Sequence, residues 1–210
     1  MIEHLHGLPV QLEHTTFRLT DDEVNVITNN EFYQPGQNHL SKTSFLLKDT
    51  RLTRVKNFLD ERMKDYIENV IEITNKFVMT QSWGTVTKKG EKHHQHQHPN
   101  SIFSLVFYVR SEGIKSGNFV FDFQSSRLME RWMFNFSVKN NNPFNSNGWE
   151  CVVNTGDLIM FPAWMYHETR ENTSDNDRIV IGANYFVEGV LGSTDNVDKI
   201  DIQLVDVEDD

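Results

Sequence analysis

Four histidines stand close together in the run His93-His94-Gln95-His96-Gln97-His98-Pro99. Another, His167, follows far downstream in Tyr166-His167-Glu168, after Gly156-Asp157-Leu158-Ile159-Met160-Phe161-Pro162. An H-x-H pair joined by one distant His is how a β-barrel assembles a three-ligand metal site. Alternation along a strand puts His94, His96 and His98 on one face, where imidazoles two residues apart converge on a single ion. Imidazole suits zinc, iron, nickel and copper, so the cluster predicts a metal without naming it. A histidine-rich strand can also be plain solvated surface, but Pro99 and the apolar strand from Ile102 put this one at a barrel edge. Arg178, a short step after His167, could hold an anionic co-substrate beside the metal. His4, His6, His14 and His39 are scattered and receive no role.

The elements that must position these residues fall into two textures. In the first third, Thr20-Asp21-Asp22-Glu23 fits a capping box that opens a short helix toward Thr28. From Asp49 or Thr50 a longer helix is predicted, because Leu52, Val55, Leu59, Met63, Tyr66, Val70 and Ile73 recur at three- and four-residue steps over about 24 residues. It should lie against the outside of a sheet. After Lys76 come short β-branched and aromatic runs punctuated by Gly, Asn and Pro. The expected strands are Phe77 to Val86, Lys92 to His96, Ile102 to Arg110, Asn118 to Phe123, Arg131 to Val138, Glu150 to Asn154, Asp157 to Phe161, Met165 to Arg170 and Ile179 to Val187. The fold class is therefore mainly β with flanking helices, a jelly roll or cupin-like barrel.

A length of 210 residues fits one domain. We divide it into an N-terminal segment with supporting helices (1–75), a β core (76–190) and an acidic C-terminal tail (191–210). A net charge of -10 disfavours nucleic-acid phosphates as partners. No apolar run approaches the ~20 residues needed to span a bilayer, so no membrane is expected. The lone Cys151 excludes an internal disulfide framework and reads as an inert buried thiol. The start Met1-Ile2-Glu3-His4-Leu5 does not look like a signal peptide, and a cytoplasmic location is expected. Trp83, Trp132, Trp149 and Trp164 read as barrel core or pocket wall, and Asp157 as a turn residue.

These residues resemble, in type and order, the iron(II)- and 2-oxoglutarate-dependent oxygenases, the superfamily that includes prolyl hydroxylases. The matching segments are His96-Gln97-His98-Pro99, Ser104-Leu105-Val106-Phe107-Tyr108, Phe161-Pro162-Ala163-Trp164-Met165-Tyr166-His167 and Arg178-Ile179-Val180-Ile181-Gly182-Ala183-Asn184. They are closest to a bacterial and phage branch with the motifs H-x-H-P, S-G-V-Y-Y, F-P-S-W-x-x-H and R-x-S-x-x-x-N. The resemblance covers Gln81 to Val187 and implies a double-stranded β-helix. It implies that His96 and His167 bind iron(II), with no catalytic side chain beyond the ligands, and strand alternation makes His98 the expected third ligand. It also implies that Arg178 and Tyr108 hold the distal carboxylate of 2-oxoglutarate, while Ser104 and Asn184 line the same co-substrate pocket.

The implied reaction couples oxidative decarboxylation of 2-oxoglutarate by dioxygen to oxidation of a second substrate, a small molecule or a peptide. A guanidinium fork matches a planar carboxylate. His98 stands where the broad superfamily has a carboxylate, which removes one negative charge from the metal's shell, and His94 is the alternative ligand. Two other readings compete. One is a cupin-like three-His metalloenzyme without 2-oxoglutarate; the other is a non-catalytic metal-binding barrel. A homodimer is compatible with all three.

Overall fold

The computed structural model describes residues 7–122, 137–140, 142, 145–146, 148–192 and 197–207. In chain order the elements are β1 (Gln11–His14), α1 (Asp21–Thr28), β2 (Phe32–Tyr33), β3 (His39–Ser41), α2 (Thr53–Asp65), β4 (Lys76–Thr87), β5 (Phe103–Arg110), β6 (Phe119–Asp122), β7 (Gly148–Cys151), β8 (Asp157–Pro162), β9 (Tyr166–Thr169), β10 (Arg178–Leu191) and β11 (Ile200–Ile202). A large antiparallel sheet runs β1-β8-β5-β10-β4-β3-β2, with β11 on β10, and a smaller sheet runs β7-β6-β9. The expected mainly-β jelly roll with flanking helices is what forms.

Period-two alternation sorts the large sheet's side chains. On β5, Phe103, Leu105 and Phe107 face α2, as do Ile179, Ile181, Ala183 and Tyr185 of β10; they enclose a core with Leu52, Val55, Leu59 and Met63 of the helical layer. The alternate residues Val106, Tyr108 and Val180 face the small sheet and pack with Phe119, Phe121, Ile159, Phe161 and Met165. The second face carries the polar exceptions Ser104, Arg178 and Asn184, all buried. Buried polar groups need partners, so the inner face is where chemistry is to be sought.

The capping box at Thr20 and Glu23 is present, and Glu23 is also tied to Arg54. The long helix differs from expectation. It is α-helical only over Thr53–Asp65 and then widens into a π-turn at Tyr66–Val70. The extra residue in that turn lets Tyr66 and Ile67 both be buried, with Tyr66 edge-on to Phe103 at 5.7 Å and its hydroxyl donating to Pro9 O. Val70, expected in the apolar stripe, is exposed.

Six expected strands form with shifted ends, as β4, β5, β7, β8, β9 and β10. Asn118 to Phe123 is seen as β6, except that Phe123 lies outside the described residues, as do Trp132 and most of Arg131 to Val138. The C-terminal stretch, read as a tail, contributes β11 and an ion pair between Asp206 and Lys48.

Candidate metal centre and co-substrate pocket

The expected strand Lys92 to His96 does not form as a regular strand; the segment instead runs beside β9 through isolated contacts. His96 and His167 exchange both backbone hydrogen bonds at 2.9 Å, His98 N donates to Ala163 O, and Thr169 N donates to His93 O. From His167 to Thr169 the partner strand advances two residues, whereas from His96 back to His93 this chain advances three. The surplus residue is a bulge, and it reverses the side-chain alternation upstream of it. His94, expected to share a face with His96 and His98, is therefore exposed. His93 takes the inward position and stacks on the His96 ring at 4.3 Å and 21°. Downstream, Pro99 and Asn100, the latter at φ 56°, turn the chain into β5; Asn tolerates that left-handed conformation.

His96, His98 and His167 come together, with one potential ligand atom from each lying within 4.8 Å of the others. His96 and His98 approach through Nε2 at 3.3 Å. Two nitrogens at about 2.1 Å from one ion and at right angles would be ~3 Å apart, so little adjustment separates this geometry from a chelating one. Every Nδ1 is already tied: His96 Nδ1 to His94 O at 2.8 Å, His167 Nδ1 to Met165 O at 2.9 Å and His98 Nδ1 to Ser104 Oγ at 2.7 Å. Carbonyl oxygens only accept, which makes Nδ1 of His96 and His167 the protonated nitrogen and turns their Nε2 lone pairs toward the shared centre. For His98 the hydroxyl of Ser104 plays the same part, since it donates onward to Asn184 Oδ1 at 2.8 Å, and Asn184 Nδ2 donates to Gln81 Oε1 at 2.9 Å.

Burial holds the histidines neutral. It is the leading cause that lowers His98 to about 4, with His96 adding to it, and it keeps His167 well below its ordinary range. His96 is lowered by burial too, partly offset by its bond to His94 O. His93 is pushed down to about 2, by burial first and then by its histidine neighbours. Neutral imidazole is the ligating form. The residues fit a divalent ion bound through three neutral nitrogens.

From the histidines a narrow pocket of about 30 Å³ runs between the sheets to Arg178, lined among others by Trp83, Thr85, Thr87, His93, Tyr108 and Thr169. That is room for a water or two, so any larger ligand enters only as the lining side chains move apart. Arg178 is 2 % exposed and has no carboxylate partner among the described residues. Burial lowers its pKa, but a guanidinium stays charged. Tyr108, wholly buried, has a hydroxyl without a hydrogen-bond partner among the described residues, as does Thr85. Burial pushes the Tyr108 phenol far up, so it remains a donor.

Tyr108 and Arg178 thus stand together at the pocket's closed end. Ser104 and Asn184, expected to line the co-substrate pocket, instead sit behind His98, for the reason just given. Trp83 is pocket wall, edge-on to His98 at 5.3 Å. His93, Thr85, Thr87 and Thr169 were not singled out from sequence. The T-x-T alternation of Thr85 and Thr87 was the available signal; the bulge that turns His93 inward had none. A roomier groove of about 520 Å³ between α2 and β4 has its central polar groups paired with each other, Lys56 and Tyr185 both bonding Asp60. Cys151 is a buried thiol raised by burial, as expected, and Asp157 caps its turn by accepting from Asn154 N.

A family model described as "Putative 2OG-Fe(II) oxygenase" matches residues 81–184, the stretch that contains every residue of this pocket. The chain belongs to the iron(II)- and 2-oxoglutarate-dependent oxygenases. This oxygenase therefore works with iron(II), 2-oxoglutarate and dioxygen, and the cupin-like reading without 2-oxoglutarate and the non-catalytic reading give way.

Solved structures show the same fold at low identity. HygX from Streptomyces hygroscopicus, solved with nickel and 2-oxoglutarate, is 14% identical at a TM-score of 0.55, over 85% of this chain and 82% of that one. The carbocyclase SnoK from nogalamycin biosynthesis is 13% identical at 0.59, over 87% and 81%. A Pseudomonas putida prolyl-4-hydroxylase is 11% identical at 0.52, over 87% and 94%. No curated protein matches the chain significantly. Among the described residues, no helix is long and apolar enough to cross a membrane.

Proposed function

We propose that His96, His98 and His167 hold the iron through Nε2 and that 2-oxoglutarate lies along the pocket with its distal carboxylate at the Arg178 and Tyr108 end. The observation that carries this is the pairing of two features in one narrow pocket: three converging neutral imidazoles at one end, and at the other a buried guanidinium without a counter-ion among the described residues. Bound iron would supply activation of dioxygen coupled to decarboxylation of the co-substrate to succinate and carbon dioxide. The chain's own residues then have separate tasks. His94 O, Met165 O and Ser104 keep the ligating nitrogens aimed, while Phe119, stacked on His167 at 5.1 Å, and Trp83 exclude water from the centre.

With three neutral ligands the ion keeps its full double charge, and Arg178 adds another, so an anion is strongly favoured there. We assign the second substrate to small molecules or peptides that approach over the half-buried His96, and the protein to the cytoplasm. Calorimetric titration of 2-oxoglutarate into anaerobic, iron-loaded protein tests the reading. Arg178→Ala should keep its iron yet lose about a hundredfold or more in 2-oxoglutarate affinity. Equal affinity in wild type and variant would remove Arg178 from the site.

A further inference from the structure

β4 is paired along its length with β10, but its other edge is covered only toward the C-terminal end of the strand. There β3 pairs Leu40 with Thr85 and His39 with Val86, and Phe45 bridges to Ser82, whose N–H donates to Ser44 O at 2.7 Å. Over residues 76–81 no backbone group among the described residues meets that edge. A strand of this length spans about 20 Å. Alternate residues along it turn an N–H and a C=O outward, where a further strand would bond them. Free edges are commonly guarded by a lysine held over them, but the ammonium of Lys76 is bonded to Glu188 across the β4–β10 pair.

A groove lies on each face of this free edge. One, of about 520 Å³, runs between β4 and α2 over Met63, Ile67, Phe77 and Met79. The other, of about 810 Å³, runs over the cross-strand pair Val78 and Phe186 and is walled by Phe45 and the C-terminal residues Leu204 and Val205. Side chains of an added strand alternate between its two faces, so they would enter the two grooves by turns. The lysines along the grooves already have partners: Lys56 with Asp60, Lys64 with Glu68 and Lys48 with Asp206. What fits between them is an extended, uncharged peptide segment with apolar side chains.

The edge also leads to the metal centre. On the inner face of β4 Gln81 is followed by Trp83, which stands edge-on to His98, and Gln81 accepts from Asn184 in the chain of hydrogen bonds that ends at His98. Asn100, just past the histidine run, lines the same groove as Gln81. We propose that the second substrate is a polypeptide, and that a segment of it docks as an added strand on residues 76–81, its alternate apolar side chains in the two grooves and its chain continuing past Gln81 and Trp83 toward the metal. The backbone bonds supply affinity and the grooves supply preference for residue type. The inference rests on the placement of the metal given above.

Short random peptides displayed on phage, selected on protein loaded with iron(II) and 2-oxoglutarate without oxygen, supply the probe. Selected peptides should alternate apolar residues. Their binding, followed by fluorescence anisotropy, should weaken about tenfold or more when alternate backbone nitrogens of the peptide are methylated. Val78→Glu, which puts a charge into the larger groove, should weaken binding about a hundredfold. Hydrogen exchange in the wild-type protein should slow at residues 76–81 when peptide is bound, a readout that needs no variant. Saturating peptide should also change the rate of succinate formation in air. Failure to select any peptide, protection only at other residues, or binding indifferent to both methylation and Val78→Glu would overturn the added strand. Docking at residues 76–81 with no effect on succinate formation would overturn the substrate assignment. Neither result touches the pocket reading, which fails instead if iron-loaded protein takes up no 2-oxoglutarate.

Discussion

His98 Nδ1 and Ser104 Oγ lie 2.7 Å apart, and this contact decides which nitrogen of His98 can reach a metal. The hydroxyl hydrogen of Ser104 is given to Asn184, so its oxygen is left to accept from the imidazole. A residue that looks like a pocket liner from its place on β5 thereby orients the imidazole of His98. Removing it in Ser104→Ala should lower iron(II) affinity about ten- to a hundredfold, as for other groups that hold a metal-binding imidazole in place. Competition with a metal-sensitive dye measures this. Unchanged affinity would show that packing against Trp83 and Phe161 orients the ring by itself.

The bulge between His93 and His96 separates the four neighbouring histidines: His96 and His98 converge with His167, whereas His94 is turned to solvent. Metal analysis of single alanine variants should find iron lost or strongly reduced in His96→Ala, His98→Ala and His167→Ala, and kept in His94→Ala. Iron retained by His167→Ala, or lost from His94→Ala, would contradict the assignment.

Gly182 is where β10 passes under Trp83. A Cβ at this position would stand 2.5 Å from the indole ring, so the half-buried Trp83 side chain would have to shift. Gly182→Ala should cost about 1–3 kcal/mol of stability, visible as a lowered Tm, and should displace Trp83 from His98. A variant as stable as wild type would mean that the indole has room to move.

The depressed histidines link stability to pH in a definite sense. Above the ordinary value of 6.5, His98 is neutral folded or unfolded, and the fold keeps its full stability. As pH falls below that value the unfolded chain takes up protons that the folded one refuses until about 4, so stability is lost across this window. His98 alone accounts for ~3 kcal/mol at about 1.4 kcal/mol per pH unit, and His167 adds in the same direction. Denaturant titrations of the metal-free protein at a series of pH values should show the decline, shallower in His98→Gln. A flat profile would refute it.

Much of this was legible in the residues, because alternation and helical spacing are local. The pair His96 and His98, the buried stripe of Val55, Leu59 and Met63, and the inward placement of Tyr108 and Arg178 all follow from periodicity or motif order. What was not legible depends on a partner strand. The bulge exists only relative to β9, so exchanging His94 for His93 could not be seen in the run itself. Ser104 and Asn184 were placed on the correct face but assigned the wrong neighbour, since the face does not say how far along the strand the metal lies. The short strands β1, β2, β3 and β11 lack an alternating pattern long enough to read and are ordered by the edges they join.

Depth within the pocket carries a kinetic meaning. Tyr108, Thr87 and Arg178 are almost wholly shielded and Arg178 is backed by the carbonyls of Ser116 and Gly117, whereas His96 keeps contact with solvent. For anything entering past His96, traffic is sequential: whatever occupies the shielded end must arrive first and depart last. A second substrate resting at the His96 end would cork the passage, so excess of it should slow turnover by trapping protein that has not yet taken up its 2-oxo acid.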